Sequence, residues 1–283
     1  MKICYLLGYP VEHSMSALMH NASFQSLNLP YRYELKSIPS AELVNFVENE
    51  LRLPEVRGAN VTIPHKHAII NTLDEIDETS SKVGAVNTII NKRGYLTGYN
   101  TDITGAYRAL KESYGNLRDV KVAILGAGGA SKAISYLFAK NASIVSIINR
   151  TLKKAESLAA TLSKLKECIS EVQALPMEHE TLKKAVKEAD ILVNTTSVGM
   201  FPKSDETLVS KTLLHSELFV FDLVYNPPQT RLIREAEEMG AKAINGIPML
   251  VYQGAAAFKL WTGRNPPEEL MFKTLKEKLG DCR

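Results

Sequence analysis

The stretch Lys121-Val122-Ala123-Ile124-Leu125-Gly126-Ala127-Gly128-Gly129-Ala130 decides the fold of this chain. An apolar run of strand length leads directly into a glycine-rich turn, and a helical pattern follows over residues 131–140. Glycine permits a tight turn and a close approach of backbone to a pyrophosphate, which the helix N-terminus attracts. Ser131 stands where the third glycine of the usual G-x-G-x-x-G pattern falls. The setting predicts a dinucleotide site, and a glycine-rich turn without a ligand is the alternative.

Downstream of this turn, strand-like and helical patterns alternate, which is typical of a doubly wound parallel sheet. The predicted strands are 121–125, 144–148, 191–194 and 218–223, and the helices are 131–140, 152–162, 180–188 and 230–239. Upstream, the pattern predicts strands 2–7, 31–35 and 55–62, a hairpin of 86–90 with 95–99, helices 14–27 and 41–51, and a short helix opened by Pro64. Helices 247–261 and 267–279 have no strand after them, so we expect them to pack on the first unit.

The predicted fold class is therefore α/β with two domains. One is an N-terminal α/β domain formed by residues 1–102 plus 241–283, and the other is a Rossmann-like doubly wound parallel-sheet domain formed by residues 103–240. A length of 283 residues exceeds the usual size of one domain, which supports the division.

Composition narrows the class of protein. A hydrophobic fraction of 45% and a charged fraction of 23% are typical of a soluble globular protein. The net charge of +3 is spread along the chain, which argues against nucleic-acid binding and suits small anionic ligands. No apolar stretch is suited to span a bilayer, so we expect no membrane partner. Three cysteines without metal-ligand spacing indicate a reduced, cytoplasmic protein. The sequence leaves the oligomeric state open, and a homodimer is compatible with it.

The choice of cofactor is predicted at the end of the strand after the glycine-rich turn. NAD-binding domains usually carry an acidic residue there that binds the ribose 2′-hydroxyl. This chain has Asn149-Arg150-Thr151 instead. Arginine can pair with a 2′-phosphate in bidentate fashion, so NADP is predicted. The alternative is that Arg150 merely covers the surface helix that follows.

Two polar clusters precede the glycine-rich turn. They are Asn60-Val61-Thr62-Ile63-Pro64-His65-Lys66 and Gly98-Tyr99-Asn100-Thr101-Asp102, each at the end of an extended run. Lys66 and Asp102 are suited to proton transfer beside a hydroxylated ligand, and a structural ion pair or a helix cap by Asp102 is the alternative. His65 and His67 lack a third ligand, so no metal is predicted and exposed helix positions are expected.

With these motifs in hand, the chain resembles shikimate dehydrogenase along essentially its whole length. The resemblance also covers Gly8 to Ser16, Gly84-Ala85-Val86-Asn87-Thr88, Asn194 to Met200, Asp222-Leu223-Val224-Tyr225-Asn226-Pro227 and Gly246 to Gln253. It implies NADPH-dependent reduction of 3-dehydroshikimate to shikimate, on the path to aromatic amino acids. The N-terminal domain would then bind the substrate, and the Rossmann-like domain would bind NADP.

The resemblance also implies roles for individual residues. Lys66 and Asp102 would be catalytic. The substrate-binding residues would be Ser14, Ser16, Thr62, Lys66, Asn87, Asp102, Tyr225 and Gln253. The cofactor-binding residues would be Gly126, Ala127, Gly128, Gly129, Ala130, Asn149, Arg150, Thr151, Thr195, Val224, Gly246 and Met249. In isolation, Ser14 is as typical of a helix cap as of a carboxylate site.

Two alternatives stay open at this point. Tyr9 and Ala17 replace the Asn and Pro usual in the family beside the carboxylate pocket, so a relative that oxidises quinate, or both acids, with NAD is the close rival. A ligand-sensing relative without catalysis is the other. The presence of both Lys66 and Asp102, and the lack of an appended DNA-binding motif, argue against it. Asp222 is interpreted either as part of a functional site or as a strand-end residue bonded to local backbone.

Overall fold

A computed structural model of the chain describes residues 1–280, and these form two compact units. The first comprises residues 1–105 and 250–278, and the second comprises residues 106–249, with residues 279 and 280 grouped to it. Position 283, where the predicted first domain ends, and Cys282 lie outside the described residues. No helix within residues 1–280 has both the length and the apolar character needed to cross a membrane.

The first unit is built on a mixed six-stranded sheet in the order β2-β1-β3-β5-β6-β4. Its strands are β1 (Lys2–Gly8), β2 (Tyr31–Ser37), β3 (Val56–Val61), β4 (Glu75–Ile76), β5 (Thr88–Lys92) and β6 (Tyr95–Tyr99). Strand β1 pairs in parallel with β2 and β3, whereas β5 is antiparallel to both β3 and β6. Apolar side chains from β1, β3 and β5, such as Leu7, Val61 and Ile89, are buried in its core.

The second unit carries a fully parallel six-stranded sheet in the order β12-β11-β10-β7-β8-β9. Its strands are β7 (Lys121–Leu125), β8 (Ile144–Asn149), β9 (Glu171–Pro176), β10 (Ile191–Asn194), β11 (Phe219–Asp222) and β12 (Lys242–Ile244). Strand order reverses at β7, between β8 and β10, which is the topology of the Rossmann fold. The strands β7, β10 and β11 are buried almost throughout, as expected for a parallel sheet covered on both faces.

Within residues 1–280, ten α-helices accompany these strands, and the last two follow β12. They are α1 (Ser16–Ser26), α2 (Leu43–Phe46), α3 (Glu78–Val83), α4 (Asp102–Ser113), α5 (Gly129–Ala139), α6 (Leu152–Ser163), α7 (His179–Glu188), α8 (Arg231–Glu238), α9 (Ile247–Thr262) and α10 (Glu268–Leu279). Short 3₁₀ helices cover Ser40–Glu42, Ala68–Thr72 and Lys211–Leu213, and Val47–Leu51 forms a π-helical turn. The chain leaves the first unit within α4 and returns to it within α9.

Several sequence predictions are wrong in detail. The helix predicted over residues 41–51 is a succession of 3₁₀, α and π turns, and its last carbonyl, that of Leu51, accepts a hydrogen bond from Asn91 Nδ2. No helix opens at Pro64, because a turn closed by His65 N–H and the Thr62 carbonyl takes its place. Strands β4, β9 and β12 were not predicted, since they are short or half-exposed edge strands with weak apolar patterns.

The second unit extends further along the chain than predicted. Residues 241–249 were assigned to the first domain, but β12 lies among them and pairs with β11. A strand at the edge of a sheet needs few apolar residues, so three residues reading Lys-Ala-Ile gave too weak a signal.

Candidate active site

Lys66 and Asp102 form a buried ion pair in the first unit. Lys66 Nζ donates to Asp102 Oδ2 at 2.5 Å, and the side chains are only 13% and 6% exposed. Lys66 lies in the turn after β3, where its carbonyl accepts from Val86 N–H, and Asp102 is the first residue of α4. The Asp102 N–H is bonded to Asn100 Oδ1, so the backbone is fixed as well as the side chain. The sequence places these two residues in separate clusters, and the fold brings them into contact.

Asn87 is the second partner of this pair. Its Nδ2 donates to Asp102 Oδ1 at 2.8 Å, so both oxygens of the carboxylate accept hydrogen bonds. The same nitrogen lies 3.4 Å from Gln253 Oε1, and Gln253 Nε2 donates to the Leu250 carbonyl. Two further predicted substrate residues therefore lie beside the ion pair: Asn87 contacts it directly and Gln253 contacts Asn87, and both are buried.

The two serines lie at the start of α1. The Ser14 hydroxyl is 3.3 Å from both the Ser16 hydroxyl and the Ser16 N–H. Because α1 has no side-chain cap and no acidic residue in its first turn, an anion would meet no repulsion there. Thr62 follows β3 directly and is half-buried, with its N–H bonded to the Leu7 carbonyl. Tyr225 lies in the second unit, in the segment after β11.

The glycine-rich turn joins β7 to α5 in the second unit. Gly126 has φ of +109°, and a side chain there would meet Thr195 Oγ1 at 2.7 Å. A Cβ on Gly128, by contrast, would meet no atom within 4 Å, so the backbone of this residue faces open space. Gly129 and Ala130 open α5, which has no side-chain cap and no acidic residue in its first turn. Burial also lowers the pKa of Lys132 in that turn. An open backbone and an uncapped helix N-terminus are suited to the phosphates of a dinucleotide, which is the role predicted for Gly126 to Ala130.

The residues predicted to select the cofactor follow β8. Asn149 ends the strand, and its Nδ2 donates to the Thr151 carbonyl at 2.9 Å. Arg150 is exposed and has no ion-pair partner among residues 1–280. Thr151 precedes α6, whose first turn contains no acidic residue. An unpaired guanidinium without a neighbouring carboxylate fits a 2′-phosphate.

The other predicted cofactor residues lie at the ends of β10 and β11 and near β12. Thr195 donates to the Leu125 carbonyl at 2.6 Å, which ties the segment after β10 to the glycine-rich turn. Gly246 N–H donates to the Val224 carbonyl, and a Cβ on Gly246 would lie 2.1 Å from the Leu223 carbonyl oxygen. Met249 is buried at 7% exposure in the first turn of α9.

Asp222 is fully buried at the end of β11. It accepts hydrogen bonds from Asn194 Nδ2, Val224 N–H and Thr230 Oγ1, and burial raises its pKa to about 6. These contacts agree with a strand-end aspartate that organises the surrounding segments.

The expectation that His65 is exposed is wrong. It is fully buried, and its Nε2 lies 2.7 Å from the Ile38 carbonyl, whereas His67 is exposed. Within residues 1–280, no group of three or more His, Cys, Asp or Glu side chains is arranged to hold a metal ion.

The sequence analysis missed a row of buried polar residues behind Asn87. No role was predicted for four such residues, yet each is at most 5% exposed: Tyr33, Asn60, Thr88 and Thr101. One signal was available, because an asparagine in the otherwise apolar end of β3 must find hydrogen-bond partners when buried.

Together, a Rossmann sheet with an open glycine-rich turn and a buried lysine–aspartate pair in the other unit define a nicotinamide-nucleotide oxidoreductase. Comparison with known proteins specifies the family. Three family models match: the shikimate dehydrogenase substrate binding domain over residues 6–89, shikimate/quinate 5-dehydrogenase over residues 108–243, and the shikimate 5′-dehydrogenase C-terminal domain over residues 246–276.

Individual relatives agree over nearly the full length. The chain is 45% identical to a shikimate dehydrogenase (NADP(+)) of Methanopyrus kandleri, covering 97% of this chain and 94% of the relative. A crystal structure of a shikimate dehydrogenase in complex with NADP⁺ superposes with a TM-score of 0.91 at 40% identity, covering 99% and 96% of the two chains. A Thermus thermophilus shikimate 5-dehydrogenase with NADP(H) and shikimate gives a TM-score of 0.86 at 35% identity, covering 98% and 99%. The chain therefore belongs to the shikimate dehydrogenase family.

Proposed function

We propose that this chain catalyses the reversible NADPH-dependent reduction of 3-dehydroshikimate to shikimate, in the biosynthesis of aromatic amino acids. The observation that carries the proposal is the buried contact of 2.5 Å between Lys66 Nζ and Asp102 Oδ2, completed by the Asn87 amide. A lysine–aspartate pair with 13% and 6% exposure on these side chains is shielded from bulk water and still reachable by a small ligand. Family membership supports the choice of substrate.

Lys66 is the proton donor in this scheme. Reduction of a ketone places negative charge on the carbonyl oxygen, and an ammonium beside that oxygen stabilises the charge and delivers the proton. In the reverse direction, the same nitrogen accepts the hydroxyl proton. Asp102 orients the ammonium and accepts from a ring hydroxyl. A positioned proton donor contributes about 10²- to 10⁴-fold to the rate.

The remaining polar residues recognise the rest of the substrate. Ser14 and Ser16, at the start of α1, bind the carboxylate, which the positive end of the helix favours. Thr62, Asn87, Gln253 and Tyr225 bind ring hydroxyls, for which neutral hydrogen-bonding groups are suited.

NADPH supplies the hydride when it is bound. The open backbone at Gly128 and the uncapped N-terminus of α5 would hold its pyrophosphate, together with Gly126, Ala127, Gly129 and Ala130. Arg150 would bind the 2′-phosphate, with Asn149 and Thr151 beside it. Thr195, Val224, Gly246 and Met249 complete the site for the nucleotide.

The test is a comparison of four reactions, namely shikimate or quinate with NADP⁺ or NAD⁺, followed by the near-ultraviolet absorbance of the reduced cofactor. The proposal predicts the highest kcat/KM for shikimate with NADP⁺. A preference for quinate with NAD⁺ would identify the chain as a quinate dehydrogenase, and no turnover with any pair would favour a ligand-sensing relative.

Arg150→Ala tests the cofactor assignment separately. Loss of a charge-assisted pair with a phosphate is expected to raise the KM for NADP⁺ about tenfold or more, while the KM for NAD⁺ changes little. Lys153→Ala, a change of an exposed cation in the first turn of α6, just after Arg150, is the control. Equal effects of Arg150→Ala on both cofactors would argue against a contact with the 2′-phosphate.

We also propose a cytoplasmic location, since Cys4 and Cys168 are both free thiols, as in proteins of reducing compartments. A homodimer stays a prediction, which light scattering on the purified chain tests.

A further inference from the structure

A row of buried hydroxyl and amide side chains lies behind Asn87 in the first unit. We call Tyr33, Asn60, Thr88 and Thr101 the inner row, and each is at most 5% exposed. Asn60 on β3 and Thr88 on β5 are directly opposite each other in the antiparallel ladder. Buried polar groups destabilise a protein unless they are hydrogen-bonded, so a row of four at this place has a structural or functional reason.

Within the inner row, each hydrogen bond is donated to the next side chain, from Tyr33 to Asn60 and from Asn60 to Thr88. The Tyr33 hydroxyl donates to Asn60 Oδ1 at 2.8 Å. Asn60 Nδ2 lies 3.2 Å from the main-chain carbonyl of Asn87, which can only accept, so the orientation of the Asn60 amide is fixed. The same Nδ2 donates to Thr88 Oγ1 at 3.0 Å. Because Thr88 Oγ1 accepts this bond, its own proton is available for a further acceptor.

The next acceptor is the side chain of Asn87. Thr88 Oγ1 lies 3.1 Å from Asn87 Oδ1, which can only accept, and 3.0 Å from Thr101 Oγ1, where either hydroxyl can donate. When Thr101 Oγ1 donates to Thr88 Oγ1, the Thr88 proton is directed to Asn87 Oδ1, which also accepts from the Thr101 N–H at 2.7 Å. With Oδ1 held by these two donors, Nδ2 must point the other way, where it meets Asp102 Oδ1 at 2.8 Å. The orientation of the Asn87 amide thus decides whether Asp102 faces a donor or an acceptor.

We propose that Thr88 is a positioning residue for the reaction proposed above. Its hydroxyl transmits the orientation of Asn60 to the Asn87 amide, which presents N–H to Asp102 and so holds that carboxylate against Lys66. The inference rests on the proposed function, and it assigns to Thr88 no contact with the substrate.

Thr88→Val, which replaces the hydroxyl with a methyl group of similar size, tests the proposal. Without the Thr88 donor, the Asn87 amide is less firmly held, and kcat for shikimate oxidation is expected to fall about tenfold. Because NADP⁺ is bound by the other unit, its KM should stay within about twofold. Thr88→Ser keeps the hydroxyl and should retain kcat within about threefold.

Thr97→Val is the matched control, since Thr97 lies on β6, the neighbouring strand of the same hairpin, and should leave kcat unchanged. Wild-type kcat in Thr88→Val would overturn the proposal, as would an equal loss in Thr97→Val or in Thr88→Ser. If Thr88→Val does not fold, Tyr33→Phe is the deciding variant, because it removes only the first donor of the inner row. A reduced kcat with an unchanged KM for NADP⁺ supports the proposal, and an unchanged kcat overturns it. A wild-type chain inactive on shikimate would contradict the proposed function instead.

Discussion

Replacement of His20 by Phe should change how the stability of the first unit depends on pH. The imidazole is fully buried on α1, stacked on Tyr33 with ring centroids 4.5 Å apart, and neither ring nitrogen has a hydrogen-bond partner among the described residues. Burial lowers the pKa of His20 from 6.5 to about 3. The folded protein therefore holds this ring neutral at pH values where the unfolded chain binds a proton.

The size of the effect follows from these pKa values. Because the pKa of His20 is lower in the folded state, its contribution to stability is complete above about pH 6.5 and is lost as the pH falls towards 3. Each pH unit below 6.5 corresponds to about 1.4 kcal/mol, so at about pH 5 the loss is about 2 kcal/mol. His20→Phe keeps an aromatic ring in the cluster and removes the titration. Its free energy of unfolding relative to the wild type should therefore rise by about 2 kcal/mol between about pH 8 and pH 5.

Urea denaturation at the two pH values, followed by tryptophan fluorescence, measures this difference. Trp261 is the single tryptophan, and its ring centroid lies 5.3 Å from that of His20, so the signal reports on the first unit. Phe258→Leu is the control, because it disturbs the same aromatic cluster without removing a titratable group. Its stability relative to the wild type should be the same at both pH values. A His20→Phe difference that does not change with pH would show that His20 is not buried in its neutral form.

Three further substitutions test the second unit. The wild type should gain up to about 3 kcal/mol of stability as the pH falls from about 6 to about 4, because burial raises the pKa of Asp222 to about 6 and the folded protein binds that proton more tightly than the unfolded chain does. Asp222→Asn should abolish this gain, and urea midpoints followed by circular dichroism that show the same pH dependence in both proteins would contradict it. Gly128→Ala should raise the KM for NADP⁺ about tenfold without lowering the melting temperature, because its Cβ enters open space on the nucleotide side; an unchanged KM would argue against the phosphate site. Gly246→Ala should lower the melting temperature by several degrees, because its Cβ would lie 2.1 Å from the Leu223 carbonyl oxygen, and a wild-type melting temperature would contradict that contact.

The sequence was sufficient to predict the family and the two-domain α/β class, and both are confirmed. The decisive segment was β7 with its glycines, because a buried parallel strand, a turn that needs glycine and a helix N-terminus leave a strong pattern in consecutive residues. Edge strands such as β9 and β12 leave a weak pattern, since half of their surface stays exposed and few apolar residues are required.

The polar site was predictable only in part. Lys66, Asn87 and Asp102 could be proposed from their motifs, but sequence alone cannot show that the Asn87 amide bonds to Asp102 or that Thr88 lies behind it. Those contacts depend on the register of β3 with β5 and on the start of α4, which are tertiary properties. The burial of His65 was missed for the same reason, because its hydrogen-bond partner, Ile38, is 27 residues away.

The measurement that bears most strongly on the mechanism is the kcat of Lys66→Ala for shikimate oxidation, determined together with the binding of shikimate and NADP⁺ by calorimetry. Loss of the proton donor should lower kcat about 10²-fold or more while binding of both ligands stays measurable. Lys273→Ala, which changes an exposed lysine paired with Glu277 on α10, should keep wild-type kcat. A Lys66→Ala protein that retains most of its kcat would show that the proton comes from another group and that the Lys66–Asp102 pair is structural.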